Sequence, residues 1–342
     1  MSTEKNLPGW IGAYKIREVI GSGATGHVYL AEDPSLNRNV AVKILKSKFK
    51  YDNELRQRFL REAQAMAKLS HPAVVSVYTV GDEEGVPYLV MEYMKELDLL
   101  SVIDTSETGR LQVSKALPIF IDVCQGLETA LDNNIIHRDI KPANIFLAGK
   151  NRAKIGDFGL ASVLELESNL TADGVIIGTP DYIAPEIISG EKPDMRSDIY
   201  SLGCSLFHAL KGYPPFREEN EDISAGEVLG RQLNSEPPPL KGKDFSRSLT
   251  KIVAQMLNKN PDKRPDYATI IKRLKKSLDS DTITINIPRL SSISHKSSEK
   301  TDASNNNDEE YNDILPFPAT YLILFGLFFS TLILFLGIYF LN

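Results

Sequence analysis

Two short motifs leave this chain very few architectures. His137-Arg138-Asp139-Ile140-Lys141-Pro142-Ala143-Asn144 is followed, after a stretch that reads as a short hairpin, by Asp157-Phe158-Gly159. The first run sets an acid, a cation and an amide on one tight loop. The second adds a carboxylate able to hold a metal ion at the same point in space. These residue types suit phosphoryl transfer, where the protein performs little covalent chemistry and works by positioning the nucleophile and neutralising charge with magnesium and a lysine. Either motif alone would carry little weight; together, in this order and spacing, they are specific.

The N-terminal third supplies what such a site requires. Residues 14–20 and 28–32 read as strands joined by Gly21-Ser22-Gly23-Ala24-Thr25-Gly26, whose glycines let the backbone approach phosphates without side-chain clash. A dinucleotide-binding turn would need a helix directly after the last glycine, whereas Gly26-His27-Val28-Tyr29-Leu30 continues as a strand. Val40-Ala41-Val42-Lys43 is a further strand, and alternation places Ala41 and Lys43 on one face. Over residues 52–69, Leu55, Phe59 and Met66 recur at helical spacing, and Glu62 falls on the same apolar face. A carboxylate pointed inward costs several kcal/mol unless something pairs with it, and Lys43 is the natural candidate. Pro87-Tyr88-Leu89-Val90-Met91-Glu92-Tyr93-Met94 reads as the last strand of this region running into a hinge, and residues 117–133 as a long helix feeding the Asp139 loop, with Gly126 as a packing point.

Further along come Gly178-Thr179-Pro180-Asp181-Tyr182-Ile183-Ala184-Pro185-Glu186, Ser197-Asp198-Ile199-Tyr200-Ser201-Leu202-Gly203 and Asp262-Lys263-Arg264-Pro265. On these motifs, from about residue 14 to about residue 278, the chain resembles the eukaryotic-type (Hanks-type) serine/threonine protein kinases, and is closest in flavour to those of bacteria. The resemblance implies an α+β fold: a bilobal kinase with a small antiparallel β-sheet N-lobe (about 14–92) carrying one regulatory helix, and a larger, mainly helical C-lobe (about 93–279). It implies ATP and Mg²⁺ or Mn²⁺ as cofactors, hard oxygen ligands being unsuited to zinc. Asn144 and Asp157 are then the metal ligands, Asp139 orients or accepts the proton of the attacking hydroxyl, and Lys141 stabilises the transferring phosphoryl group. Lys43 and Glu62 form an activating ion pair, and Thr179 hydrogen-bonds Asp139 and Lys141. The nucleotide contacts are Gly21, Ser22, Gly23, Ala24, Thr25, Gly26, Val28, Ala41, Lys43, Met91 as gatekeeper, the backbone of Glu92 and Met94, Asp98 at the ribose and Phe146 beneath the adenine. Glu96-Leu97 depart from the small residues common before that aspartate. Phe158 is expected under the regulatory helix near Met66. Asp198 anchors the catalytic loop and Arg264 partners Glu186. Lys141 points to serine and threonine as acceptors, and Arg138 offers a cation to a phosphorylated loop residue, Thr171 first and Ser168 second.

Composition sets the surroundings. A chain of 342 residues, 42% hydrophobic, has material for one large core or two lobes, and a formal charge of −6 argues against nucleic acid as a partner. Cys124 and Cys204 are isolated thiols in helical segments, forming neither a disulfide framework nor a metal site. The N-terminal tail, 1–13, has no apolar stretch of a cleavable signal. Residues 280–318, rich in serine, asparagine and acids, read as a flexible linker. From Ala319 to Leu341 no residue is charged, and Thr320 to Leu341, as a helix of about 33 Å, would span a bilayer. The expectation is therefore a single-pass membrane protein with kinase domain 14–279 in the cytoplasm, where ATP is, and its C-terminus at or across the lipid bilayer. Protein substrates are its expected partners, its own activation loop among them, and a homodimer is a route for signals. With the sequence ending at Asn342, no sensor domain is expected beyond the span.

Two other classes compete with this reading. A pseudokinase scaffold would bind partners without turnover, yet Lys43, Glu62, Asp139, Asn144 and Asp157 fill every catalytic position. A small-molecule phosphotransferase would lack the peptide-docking stretch from Thr179 to Glu186.

Overall fold

The computed structural model describes residues 7–23, 26–158, 180–217 and 223–283. Its architecture is the expected α+β arrangement of two lobes. In the smaller lobe, Trp10–Ile11 (β1), Tyr14–Ser22 (β2), Gly26–Asp33 (β3), Arg38–Leu45 (β4), Val77–Glu83 (β5) and Val86–Glu92 (β6) form a six-stranded sheet in the order β1-β2-β3-β4-β6-β5. All its pairings are antiparallel. β4 lies between β3 and β6 and has a core on each face, which is why its middle is continuously buried. Val40 and Val42 pack with Ile11, Ile16, Ala31, Tyr88 and Val90 on one side, while Ala41 meets Val75 and Met91 on the other.

One helix, Asn53–Met66 (α1), packs against β5 and β6. Asp52 starts it by accepting the Leu55 N–H at 2.9 Å, a cap worth about 1 kcal/mol. Leu55, Phe59, Ala63 and Met66 are its buried stripe, as the spacing requires.

In the larger lobe, Leu99–Thr105 (α2) and Val113–Asp132 (α3) precede the hairpin Ile145–Leu147 (β7) and Ala153–Ile155 (β8). Then follow Pro185–Ile188 (α4), Met195–Lys211 (α5), Ala225–Asn234 (α6), Arg247–Met256 (α7) and Tyr267–Ile283 (α8). Both cysteines are free and buried, Cys124 in α3 and Cys204 in α5. α3 packs against α8 on one side and β8 on the other. Gly126 permits this: a Cβ there would lie 2.9 Å from the Ala73 carbonyl oxygen, so the helix rides directly on the segment between α1 and β5. That segment is stitched to β8 in turn, with Val75 N–H donating to Ile155 O (3.0 Å) and Ile155 N–H to Ala73 O (2.9 Å). The two lobes thus share a hydrogen-bonded seam directly behind the site.

Among the described residues no helix is long and apolar enough to cross a membrane. The span expected at 319–341 lies outside the described residues, as do Ala24, Thr25, Gly159, Ser168, Thr171, Thr179 and all of the expected linker except its first turn, which belongs to α8.

Candidate active site

The loop that follows α3 is held by its backbone. Asp198, in the first turn of α5, accepts the N–H groups of His137 (2.7 Å) and Arg138 (2.8 Å). These bonds to a carboxylate hold Arg138 at φ 69, a conformation costing about 1–3 kcal/mol in a non-glycine residue. Burial pushes the Asp198 carboxyl up to about 7, against the pull of the two N–H groups. The His137 ring is fully buried and lies tilted against Phe158, with centroids 4.4 Å apart. Its Nδ1 receives the Asp139 N–H (3.2 Å), and its Nε2 lies 3.0 Å from Gly156 O. A backbone N–H can only donate, so Nδ1 is the lone-pair nitrogen and Nε2 carries the proton. Burial pushes the pKa of this imidazole down to about 4, and it is neutral at physiological pH.

The polar groups that the sequence nominated converge here. Lys141 Nζ is 3.0 and 2.9 Å from the two carboxylate oxygens of Asp139. Asn144 donates its Nδ2 to Asp139 O (2.7 Å) and Oδ2 (2.9 Å), which fixes the amide and leaves its oxygen as a hard acceptor. Gly156 N–H bonds Asn144 O at 3.0 Å, so the segment bearing Asp157 is tied to the segment bearing Asn144. Asp157, at φ 52, receives Lys43 Nζ on Oδ1 at 2.8 Å. Desolvation works against its ionisation, but the charge and hydrogen bond of Lys43 outweigh it, and the pKa lies below the usual carboxylate range. Lys43 engages one oxygen of Asp157, so the other, with the Asn144 amide oxygen, makes a pair of hard donors on tied segments. That donor set fits Mg²⁺ or Mn²⁺.

The expected pair between Lys43 and Glu62 is absent. Lys43 has taken the carboxylate of Asp157, and Glu62 Oε1 sits instead 3.6 Å from Arg138 Nη1, an ion pair too long to be a hydrogen bond. The reason is competition. One ammonium faces two carboxylates; Asp157 reaches it in direct hydrogen-bond contact, and Glu62 already has cations in Arg138 and in Arg58 of its own helix. Desolvation raises the Glu62 pKa, these guanidinium groups and Lys43 opposing it. Its Oε2 is buried without a hydrogen-bond partner among the described residues. Beside it a cavity of about 470 Å³ lies under α1, lined by Arg58, Arg61, Met66, Arg138 and Phe158, which puts Phe158 beneath the helix near Met66 as expected.

Above this polar cluster lies an apolar slot. Ala41, Val75 and Met91 are buried together, with Val28, Met94 and Phe146 packed against them. Its walls come from β3, β4, the end of β6 and β7, and it suits a flat aromatic heterocycle. The glycine turn at its mouth differs in part from expectation. Gly23 has open space where a Cβ would stand, consistent with close approach of a ligand, but Gly26 is required by the sheet itself, since a Cβ there would lie 2.6 Å from Ile44 O. Glu92 gives its N–H to Ser76 O (2.8 Å), so its carbonyl is the group left to meet a ligand edge. Asp98, expected at a ribose, caps α2 by accepting Ser101 N–H (2.9 Å) and Oγ–H (2.7 Å). Arg264 binds Glu186 through its two terminal guanidinium nitrogens, at 2.6 and 2.8 Å.

Sequence reasoning missed Val75, which stands in a segment between α1 and β5 with no periodicity to mark its face. It also missed Lys154, whose ammonium lies 2.8 and 2.7 Å from the carboxylate oxygens of Glu92. A lysine one residue from the start of a short strand carries no signal of a sheltered partner.

Known proteins resemble this chain in sequence and in fold. The protein kinase domain family matches residues 14–274. Serine/threonine-protein kinase PknB of Mycobacterium tuberculosis is 38% identical over 256 residues, covering 73% of this chain and 40% of that protein. Serine/threonine-protein kinase PrkC of Bacillus subtilis is 36% identical over 275 residues, 80% of this chain and 41% of its own length. The chain thus spans about two fifths of the curated relatives it matches. Among solved structures, a double mutant of the Mycobacterium tuberculosis PknI kinase domain superposes with a TM-score of 0.60 at 26% identity, covering 78% of this chain and 96% of that one.

Proposed function

This chain belongs to the protein kinase domain family, and on that premise we propose that it transfers the γ-phosphoryl group of ATP to serine and threonine hydroxyls of proteins. The observation that carries the reading is the convergence of Lys43 on Asp157 at 2.8 Å beside an Asn144 that is itself bonded to Asp139. Asp139 accepts the hydrogen bond of the attacking hydroxyl and orients it, with its carboxylate held in place by Asn144 and Lys141. Lys141 follows the charge that builds on the transferring group, and Lys43 aligns the phosphates. Asn144 and Asp157 would hold a magnesium ion, which would neutralise phosphate charge. The slot of Val28, Ala41, Met91, Met94 and Phe146 takes the adenine. Glu62 exchanges Arg138 for Lys43 in the active arrangement, and Thr179 bonds Asp139 and Lys141 there.

The wider setting is part of the same proposal. Residues 280–318 tether domain 14–279 to a bilayer span at 319–341, on the cytoplasmic side, supported by the uncharged run from Ala319 to Leu341. A second copy of the chain supplies activation in trans, with Thr171, then Ser168, as acceptors.

The purified chain, given ATP and magnesium, is expected to label protein on serine and threonine. Asp157→Asn, which keeps size and removes the charge, should lower labelling at least about a thousandfold, the scale of a lost electrostatic group at a transferring phosphate. Undiminished labelling by that variant, or a folded wild type that neither labels protein nor binds nucleotide, would overturn the reading.

A further inference from the structure

Glu92, the last residue of β6, is held from two directions. Its N–H donates to Ser76 O (2.8 Å), and its Oε2 accepts the Ser76 N–H (3.2 Å). Lys154 Nζ then closes on both carboxylate oxygens at 2.8 and 2.7 Å. The pair is sheltered, with side chains 19% and 26% exposed, so solvent screens it less than a surface ion pair. Lys154 itself cannot drift. It lies in β8 between buried Ala153 and Ile155, and Ile155 exchanges backbone hydrogen bonds with Ala73 and Val75. Across the hairpin, Lys154 stands opposite Phe146, the floor of the apolar slot.

We infer that Lys154 is a positioning residue that sets base selectivity, by fixing the Glu92 carbonyl in register with the Phe146 floor. The inference rests on the kinase reading above. A hinge that reads a base by backbone meets it with one carbonyl and one N–H. Adenine offers an amino donor beside a ring acceptor; guanine offers the reverse order, a carbonyl beside a ring N–H. Discrimination by such a pair depends on register held to about 0.5 Å, because each bond weakens steeply off its line. The seam through Ser76 fixes the height of Glu92 against the smaller lobe. Lys154 fixes it against the larger lobe, from which the floor of the slot comes. Removing the ammonium leaves the Ser76 bonds and the fold in place but frees the hinge relative to Phe146. Adenine loses the alignment of its two bonds, whereas guanine, which cannot make that pair, has no such alignment to lose.

The test measures displacement of a fluorescent ADP analogue from the full chain by ATP and by GTP, with magnesium, together with kcat and KM for ATP and the thermal midpoint. For Lys154→Met, the ATP dissociation constant and KM should rise about tenfold, with kcat and the GTP dissociation constant within about twofold of wild type. The ATP-to-GTP preference thus shrinks about tenfold, Lys154→Arg restores most of it, and Glu92→Gln reproduces the loss should Lys154→Met fail to fold. Equal losses for ATP and GTP, or an unchanged preference in folded variants of an active wild type, overturn this inference and leave the kinase reading standing. A wild type that binds neither nucleotide and labels no protein overturns both.

Discussion

Arg264→Leu tests how the larger lobe is held together. The Arg264 side chain is wholly buried and that of Glu186 is 8% exposed, and the two meet through parallel contacts of 2.6 and 2.8 Å. The same guanidinium donates to the carbonyls of Asn258 (2.8 Å), Arg196 (2.8 Å) and Lys259 (3.2 Å), and lies 4.8 Å from the Tyr200 ring centre. One side chain thereby joins α4, the start of α5 and the segment after α7. Deleting it leaves a buried carboxylate without its cation, which costs about 3–5 kcal/mol. That is a large share of the ~5–15 kcal/mol that holds a domain folded. For a domain of this size it corresponds to a fall of roughly 5–9 °C in the thermal midpoint. Circular dichroism during heating and urea titration both measure it. Glu186→Leu combined with Arg264→Leu removes the stranded charge as well, so the double variant should regain at least ~2 kcal/mol relative to the sum of the singles. A single variant within ~1 kcal/mol of wild type, or a double variant with simply additive losses, would refute the reasoning.

Two further outcomes follow from groups beside the site. His137 has a folded pKa of about 4 against 6.5 when free, so the unfolded chain binds the proton first and stability falls as pH drops from 6.5 through 4, by about 3 kcal/mol from this group. Asp198, raised to about 7, binds its proton first in the folded state and acts with the opposite sign over the same range, so the comparison must be between wild type and His137→Phe, whose urea-derived stability should show a shallower acid loss; an equal or steeper one contradicts the assignment. Gly126→Ala should destabilise by about 1–2 kcal/mol even though alanine gains ~1 kcal/mol of helix propensity, because the new methyl would meet Ala73 O at 2.9 Å and Val74 Cγ2 at 3.2 Å; a higher urea midpoint would show that α3 can move away.

Where a property of the site depended on residue type and local spacing, the sequence disclosed it. The stripe of Leu55, Phe59 and Met66 marks α1, and its burial follows from helical geometry. Alternation in β4 puts Ala41 in the slot and Val40 and Val42 in the opposite core. Lys141, Asn144 and Asp139 meet because they share one short loop, whose reach leaves little choice. What stayed hidden depends on contacts between distant segments. Val75 and Lys154 join the site through backbone pairing of residues 73–75 with β8 and through a hinge carboxylate, neither of which leaves a periodic trace. Gly26 looked like a phosphate-loop glycine, and the need it serves is the close approach of β4.

The partner of Lys43 was hidden for a different reason. A sequence counts charges; it does not assign them. Lys43 with Asp157 and Arg138 with Glu62 is one way to give each of two carboxylates a cation, and Lys43 with Glu62 is another, provided that Asp157 meets a metal ion and Arg138 a phosphate. Neither arrangement strands a bare charge, so exchange between them avoids the several kcal/mol that an unpaired buried carboxylate would cost. The balance is then set by small differences, among them the unsatisfied Oε2 of Glu62 and the strained backbone at Arg138 and Asp157. Terms of 1–3 kcal/mol are of the size that a bound ligand can reverse, so the choice between the two pairings is open to control by what binds beside them. The unsatisfied oxygen and the two positive φ values therefore lie at the groups whose pairing would change, and the hydrogen-bonded seam between residues 73–75 and β8 involves none of those groups.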